Sequence, residues 1–323
     1  MAVADTAGAA AIAKSPRNRP RFTEFFQADD FVIEAGSEYI SGLSDEERSK
    51  HVADLARRCA SARYIELDEG TDGIVRVSDG TEVRLRSFSD LLEFWSRRSS
   101  PSYLDITGLT HRVWPSLLRA ALIADHDVRV VYVEPLRYRF NTIRTEGELF
   151  DLSVRFEGIG PLPGFLSLAE PAEESVLLVP LLGFEGQRLS MVLNQVQVPR
   201  DRIVPVIGVP GFQPEFVFYA YQGNRLPLEE TLAWQSVQFA AANCPFSLFY
   251  TLATIAAENP DAFLKIAPVG TKPHGLGAVL FALSEPERVE LVYDHPIRRE
   301  GRTAGAARLL VYHVRGLRPL LQL

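Results

Sequence analysis

The sequence predicts an α/β fold: an open, doubly wound, mostly parallel sheet over residues 100–323, preceded by a small α+β appendage over residues 21–99. Three observations predict it. Short, near-continuous apolar runs such as Val128–Val133, Val176–Leu182 and Leu264–Pro268 are the form strands take when helices cover both faces of a sheet. Segments of helical length and period separate these runs, the alternation that builds βαβ units. The pattern changes at Ser99-Ser-Pro-Ser102, before which the elements are shorter and joined by a hairpin, so this segment is the expected linker.

Residues 1–20 are rich in Ala and Gly and end in a basic cluster, Lys14-Ser-Pro-Arg-Asn-Arg-Pro-Arg21; they are expected to form a mobile tail. Ser44-Asp-Glu-Glu47 has the spacing of a capping box and predicts a helix running to about Ala62. Tyr64–Leu67, Ile74–Val77 and Glu82–Arg86 are expected strands, the last two joined by an Asp79-Gly80 turn of the type that closes hairpins. Phe88–Arg97 places Phe88, Leu91, Leu92 and Trp95 on one helical face.

Beyond the linker the expected strands are Tyr103–Ile106, Val128–Val133, Val176–Leu182, Ile203–Val209, Leu264–Pro268 and Val289–Tyr293. The expected helices are Trp114–Ala124, Arg188–Val196, Pro214–Gln222, Leu228–Ala242, Pro245–Glu258 and Gly275–Leu283. Arg308–Val314 follows the Gly301–Gly305 turn and is expected as an antiparallel last strand. Pro161–Ala172 carries Pro and Gly and is expected as a loop able to act as a lid. The whole is Rossmann-like.

Composition narrows the function. With 46% hydrophobic and 23% charged residues the chain can bury a large core, which excludes global disorder. A net charge of −7 and a pI near 5.5 argue against general nucleic-acid binding, whose footprint is basic. The two cysteines, Cys59 and Cys244, provide neither a disulfide framework nor a thiolate zinc site and fit a reducing cytoplasm. No apolar run is long enough to span a bilayer.

Ligands of open α/β sheets bind beyond the carboxyl ends of the strands, so the residues just after each strand are the candidates. Gly270-Thr271-Lys272-Pro273-His274 is a glycine turn entering an apolar helix, where free N–H groups, the positive end of the helix dipole and the Lys272 charge suit a phosphate. Thr107, Gly108, Thr110, His111 and Arg112 crowd the loop after the first strand of the main sheet; with Gly270, Thr271, Lys272 and His274 they form the expected phosphate grip. Glu134 and Glu185 are the candidates for sugar or base, and Phe212 offers a flat ring after the fourth strand. Asp294, His295 and the arginines Arg298, Arg299 and Arg302 follow the sixth. No metal site is expected, because no ligand spacing fixes one, and no cofactor is expected beyond the nucleotide.

The Val269-Gly270-Thr271-Lys272-Pro273 loop, after an apolar strand and before an apolar helix, resembles the Gly-Thr-Lys signature of the CRISPR-associated Rossmann-fold (CARF) ligand-sensing family, with Val269 where that family commonly has a second glycine. The likeness covers at most residues 103–315. It implies a sensor of nucleotide second messengers, acting as a homodimer in a bacterial antiviral system. Two further readings use the same residues. In one the chain is a phosphodiesterase or nucleotide hydrolase, with His111 or His274 as acid and base. In the other it is a scaffold that meets a protein partner through residues 21–99. The absence of a nucleophile motif favours binding over turnover.

Overall fold

The structure, a computed structural model, describes residues 22–44, 46–70, 73–145, 148–167 and 171–323. The tail expected over 1–20 lies outside the described residues, as do Asp45 of the expected capping box and part of the expected lid.

In chain order the first elements are β1 (Thr23–Gln27), β2 (Glu38–Gly42), α1 (His51–Arg58), β3 (Arg63–Glu69), β4 (Ile74–Val77), β5 (Glu82–Arg84), α2 (Phe88–Ser96), β6 (Ser102–Asp105), α3 (Trp114–Ile123) and β7 (Val128–Tyr138). A connecting region follows, with β8 (Phe140–Thr145), β9 (Glu148–Phe150), β10 (Ser153–Phe156) and β11 (Gly160–Pro161). Then come β12 (Val176–Pro180), α4 (Gly186–Val196), β13 (Val206–Gly208), α5 (Phe216–Thr231), β14 (Gln238–Ala240), α6 (Pro245–Glu258), β15 (Phe263–Ala267), α7 (Lys272–Ser284) and β16 (Val289–Tyr293). The chain returns through β17 (Pro296–Arg298) to β18 (Thr303–Tyr312).

These strands make two α/β sheets. The first has the order β1-β18-β7-β6-β2-β3-β4-β5, with β7, β6, β2 and β3 parallel and antiparallel strands at both flanks. In the second, β12, β15 and β16 are parallel neighbours, and β13 and β14 are parallel to each other. The bridges Leu178↔Ile203 and Leu181↔Val206 join β13 to β12. The order is therefore β14-β13-β12-β15-β16, that is 3-2-1-4-5 in chain order, the arrangement of dinucleotide-binding sheets. The parallel strands of the first sheet run 2-1-3-4, the other common doubly wound order. The central strands are the most apolar; Val176–Pro180 is buried at every position. Helix α7 is buried along its whole length, which accounts for a sequence apolar on all sides.

The expected appendage over 21–99 is not a separate unit. β2 pairs with β6 across the expected boundary, and β1 pairs with β18 from the far end of the chain. The first sheet is thus assembled from both sides of a single insertion, the second sheet. Three other expectations are corrected. The Ser44–Glu47 box opens only a short 3-10 turn, Glu47–Ser49, and its side chains do not cap it: Ser44 Oγ accepts from Glu46 N, Glu47 accepts from Gly305 N, and α1 starts at His51. The two helices expected over 214–242 are one, α5, which passes through Gly223 because Asn224 bonds Ala220 O within the helix and Gly183 O outside it. The helix ends at Leu232 with φ 60°, and Gln238–Ala240 becomes strand β14. Finally, Tyr103–Ile106 and Leu264–Pro268, expected in one sheet, lie in different sheets, and only their loops meet.

Candidate functional site

In each sheet the strand order reverses at one place, between β2 and β6 in the first and between β12 and β15 in the second. Such switch points leave a crevice at the carboxyl ends of the strands. Here the two crevices face each other. Lys272, at the first position of α7, reaches across and donates through Nζ to the carbonyls of Ile106, Thr107 and Leu109 at 2.5, 2.5 and 2.7 Å. Arg298 clamps the same loop through Gly108 O and Leu109 O, both at 3.0 Å. At the second switch point the backbones come so close that a methyl group on Gly183 would lie 2.8 Å from Val269 O, and one on Gly270 2.6 Å from Leu182 O. Only glycine fits there.

Between the sheets lies an open cleft of about 930 Å³, its mouth included. Its charged lining is one-sided: Arg48, Arg188, Lys272, Arg298 and Arg302 against the single carboxylate of Glu185. Rings line the cleft with them: Tyr138, Phe184 and Phe216, packed edge to face at centroid distances of 5.1 to 5.5 Å, and Phe212. A cationic end and an aromatic end in one cleft suit a ligand with an anionic part and a flat part.

Behind the cationic end sits Glu46. It accepts from Arg48 Nε at 2.6 Å and from Arg302 at 2.7 and 3.0 Å, with Arg298 at 3.9 Å. Burial would raise its pKa, but Arg48, Arg302, Lys272 and Arg298 outweigh burial and hold the carboxyl well below the usual range. One carboxylate thus faces four cations, and the strain falls on the others. Burial, with Arg302 beside it, pushes the Arg298 guanidinium down to about 10. Burial, then Arg298 and Arg48, pull Lys272 well below its ordinary value. Its three carbonyl partners oppose this, since only an ammonium has three N–H groups to give. Arg188 is balanced: both its bonds to Asp294 are 2.6 Å.

The expected phosphate grip is only partly assembled. Gly270, Thr271 and Lys272 line the cleft, as do His111 and Glu185. Thr271 is the side-chain cap of α7, accepting from His274 N while donating to Ala242 O, and Glu185 accepts from Leu152 N and Ser153 Oγ. Thr107 is buried and its hydroxyl accepts from Val133 N; Gly108 packs on Gly42 O. Thr110 and Arg112 face a second hollow, bonded to Glu69 and to His295 with Glu157 respectively. His274 is a core residue, bonded to Ala241 O and pushed by burial down to about 4. Glu134 is held by Arg308 and Asn243 and does not line the cleft. Asp105 belongs to a buried network with Tyr39 and His51.

Sequence reasoning missed Arg48 altogether. It lies in the segment expected as the appendage, outside the loops taken as candidates, and a buried arginine next to two glutamates has no local signature. Arg298 and Arg302 were noticed as a cluster, but turn arginines usually face solvent.

No family model matches the chain, and no curated protein does. Among solved structures, the crystal structure of a Pseudomonas aeruginosa protein assigned to the universal stress proteins is similar with 8% sequence identity and a TM-score of 0.27, over 87% of this chain and 86% of that one. Among the described residues no helix is long and apolar enough to cross a membrane, and no group of three or more His, Cys, Asp or Glu is placed to hold a metal.

Proposed function

We propose that the cleft binds a nucleotide-class ligand, phosphate at the cationic end and base against the rings, and that the chain acts as a sensing or regulatory component. The observation that carries this reading is the lining itself: five cations and one carboxylate in a chain of net charge −7. Concentrating positive charge in one concave site of an otherwise acidic chain draws anions there. The likeness of the Gly270–Pro273 loop to the CARF signature extends the reading to a bacterial antiviral system in the cytoplasm, with the chain as a homodimer.

Binding is favoured over turnover because the one aliphatic hydroxyl among the described lining residues, on Thr271, is committed to Ala242 O and to the helix cap. The test is mass spectrometry of small molecules released from the denatured chain, followed by calorimetry with AMP, ATP, diadenosine tetraphosphate and cyclic oligoadenylates. Arg298→Ala should weaken the best binder about 10- to 100-fold, the effect of one charge-assisted hydrogen bond. Equal affinity in the variant, or no binder in the panel and no released nucleotide, would refute the reading.

A further inference from the structure

His111 is the anomaly of the cleft. Its ring is 5% exposed and lines the cavity, yet neither Nδ1 nor Nε2 has a hydrogen-bond partner. A buried polar atom without a partner is costly and calls for an explanation. The fold holds the ring there. It rests against Trp114 and Tyr293 at centroid distances of 5.3 and 4.7 Å. On the α7 side a methyl group on Gly275 would lie 2.6 Å from Nε2, so the helix carries glycine where the imidazole passes.

The groups facing the ring are cationic on every side but one. Lys272 comes from α7, Arg188 from α4, Arg298 from β17 and Arg302 from the start of β18, and all four disfavour a charged imidazole, after burial itself. Tyr293 at the end of β16 presents a neutral ring, and the carboxylate of Asp294 beside it is already taken up by Arg188. On the loop of His111 itself, Arg112 points to the second hollow. Burial and these cations therefore keep the imidazole neutral, with one donor and one acceptor unused by the protein.

We propose that His111 is the ligand's hydrogen-bond partner at the floor of the cleft: it takes up a proton as the phosphate arrives and donates a charge-assisted bond to a phosphate oxygen. This rests on the nucleotide-class reading of the cleft. An anion placed among these cations reverses the field at the imidazole, and burial then strengthens the new pair. No bond to phosphorus forms or breaks. One proton passes from solvent to His111, and affinity for a phosphate ligand rises as pH falls.

Calorimetry of the whole chain with diadenosine tetraphosphate tests this, since its phosphates do not titrate between about pH 6 and 8, where histidine does. Titration in two buffers of different ionisation enthalpy reads the proton count directly. The wild-type chain should take up close to one proton per ligand and bind about 100-fold more tightly at pH 6 than at pH 8, about tenfold for each pH unit. His111→Phe keeps the ring volume and should abolish the uptake and flatten the pH dependence; His111→Gln should keep part of the affinity without the uptake. Zero proton uptake by the wild-type chain overturns the proposal without any variant, as does uptake unchanged in His111→Phe. Failure of this polyanion to bind also overturns it, whereas the nucleotide reading is decided separately by the released molecules and the wider panel.

Discussion

Lys272 stood out in the sequence as a phosphate-binding residue, and its place at a strand-to-helix turn was read correctly. What a linear reading could not see is that the side chain points across a gap between two sheets and spends its three protons on carbonyls. Lys272→Met should lower stability by about 3 kcal/mol, because buried carbonyls lose their donor; an unchanged urea midpoint would mean that the clamp on the loop after β6 contributes nothing. Glu46 has the opposite sign. Its folded pKa lies below the ordinary 4.5, so its stabilisation is present above the unfolded value and is lost as pH falls through the folded one. Glu46→Gln should cost about 3–5 kcal/mol at neutral pH, since it leaves buried cations unpaired. It should also unfold with a shallower pH dependence below about pH 4.5 than the wild-type chain. Parallel acid limbs in the two proteins would show that this carboxylate is not the group that titrates.

Helix α7 was legible because its start carries its own signals, a threonine cap, an early proline and then an unbroken apolar run. Thr271→Ala should cost about 1 kcal/mol for the lost cap, and Thr271→Ser should restore most of it. Thermal unfolding of the pair checks this, and equal melting of the alanine variant and the wild-type chain would dismiss the cap. Strands β12, β15 and β16 were legible for the same reason, a dense apolar run bounded by turns. β2 and β14 were not. Glu38-Tyr-Ile-Ser-Gly42 is short and mixed, yet four of its five residues are buried, because a helix-covered central strand takes its burial from neighbours far along the chain. Gln238–Ala240 has two exposed residues of three, the pattern of an edge strand, and its polar approach continues a helical period into it.

The architecture of the molecule was the least legible level. Each βα unit announces itself locally, but nothing local says that residues 23–27 lie beside 308–312, or that two sheets turn their carboxyl ends toward one another. Hence the expected boundary at 99/100, which cuts through the first sheet. A fragment of residues 100–323 should fail to fold, because it lacks β2, the strand next to β6, and β3 beyond it, and Arg48 of the cleft. The full chain should unfold in one transition that a nucleotide shifts upward as a whole. A soluble 100–323 fragment with native-like circular dichroism and a sharp melt would restore the two-unit description.

β18 inserts between β1 and β7, and this sets a schedule on the ribosome. The second sheet can close on its own segment as soon as it emerges. The first cannot: β7 waits with an open edge, and β1 has no neighbour at all until the chain has passed residue 303. At ordinary rates of translation that delay is on the order of tens of seconds. Through that interval the apolar edge of β7 is a template for pairing with other nascent chains. The cleft's cationic face, which needs Arg48 from one end and Arg302 from the other, comes into being only when synthesis of the described chain is all but over. Until then the groups that would draw an anion are divided between segments that have not yet met.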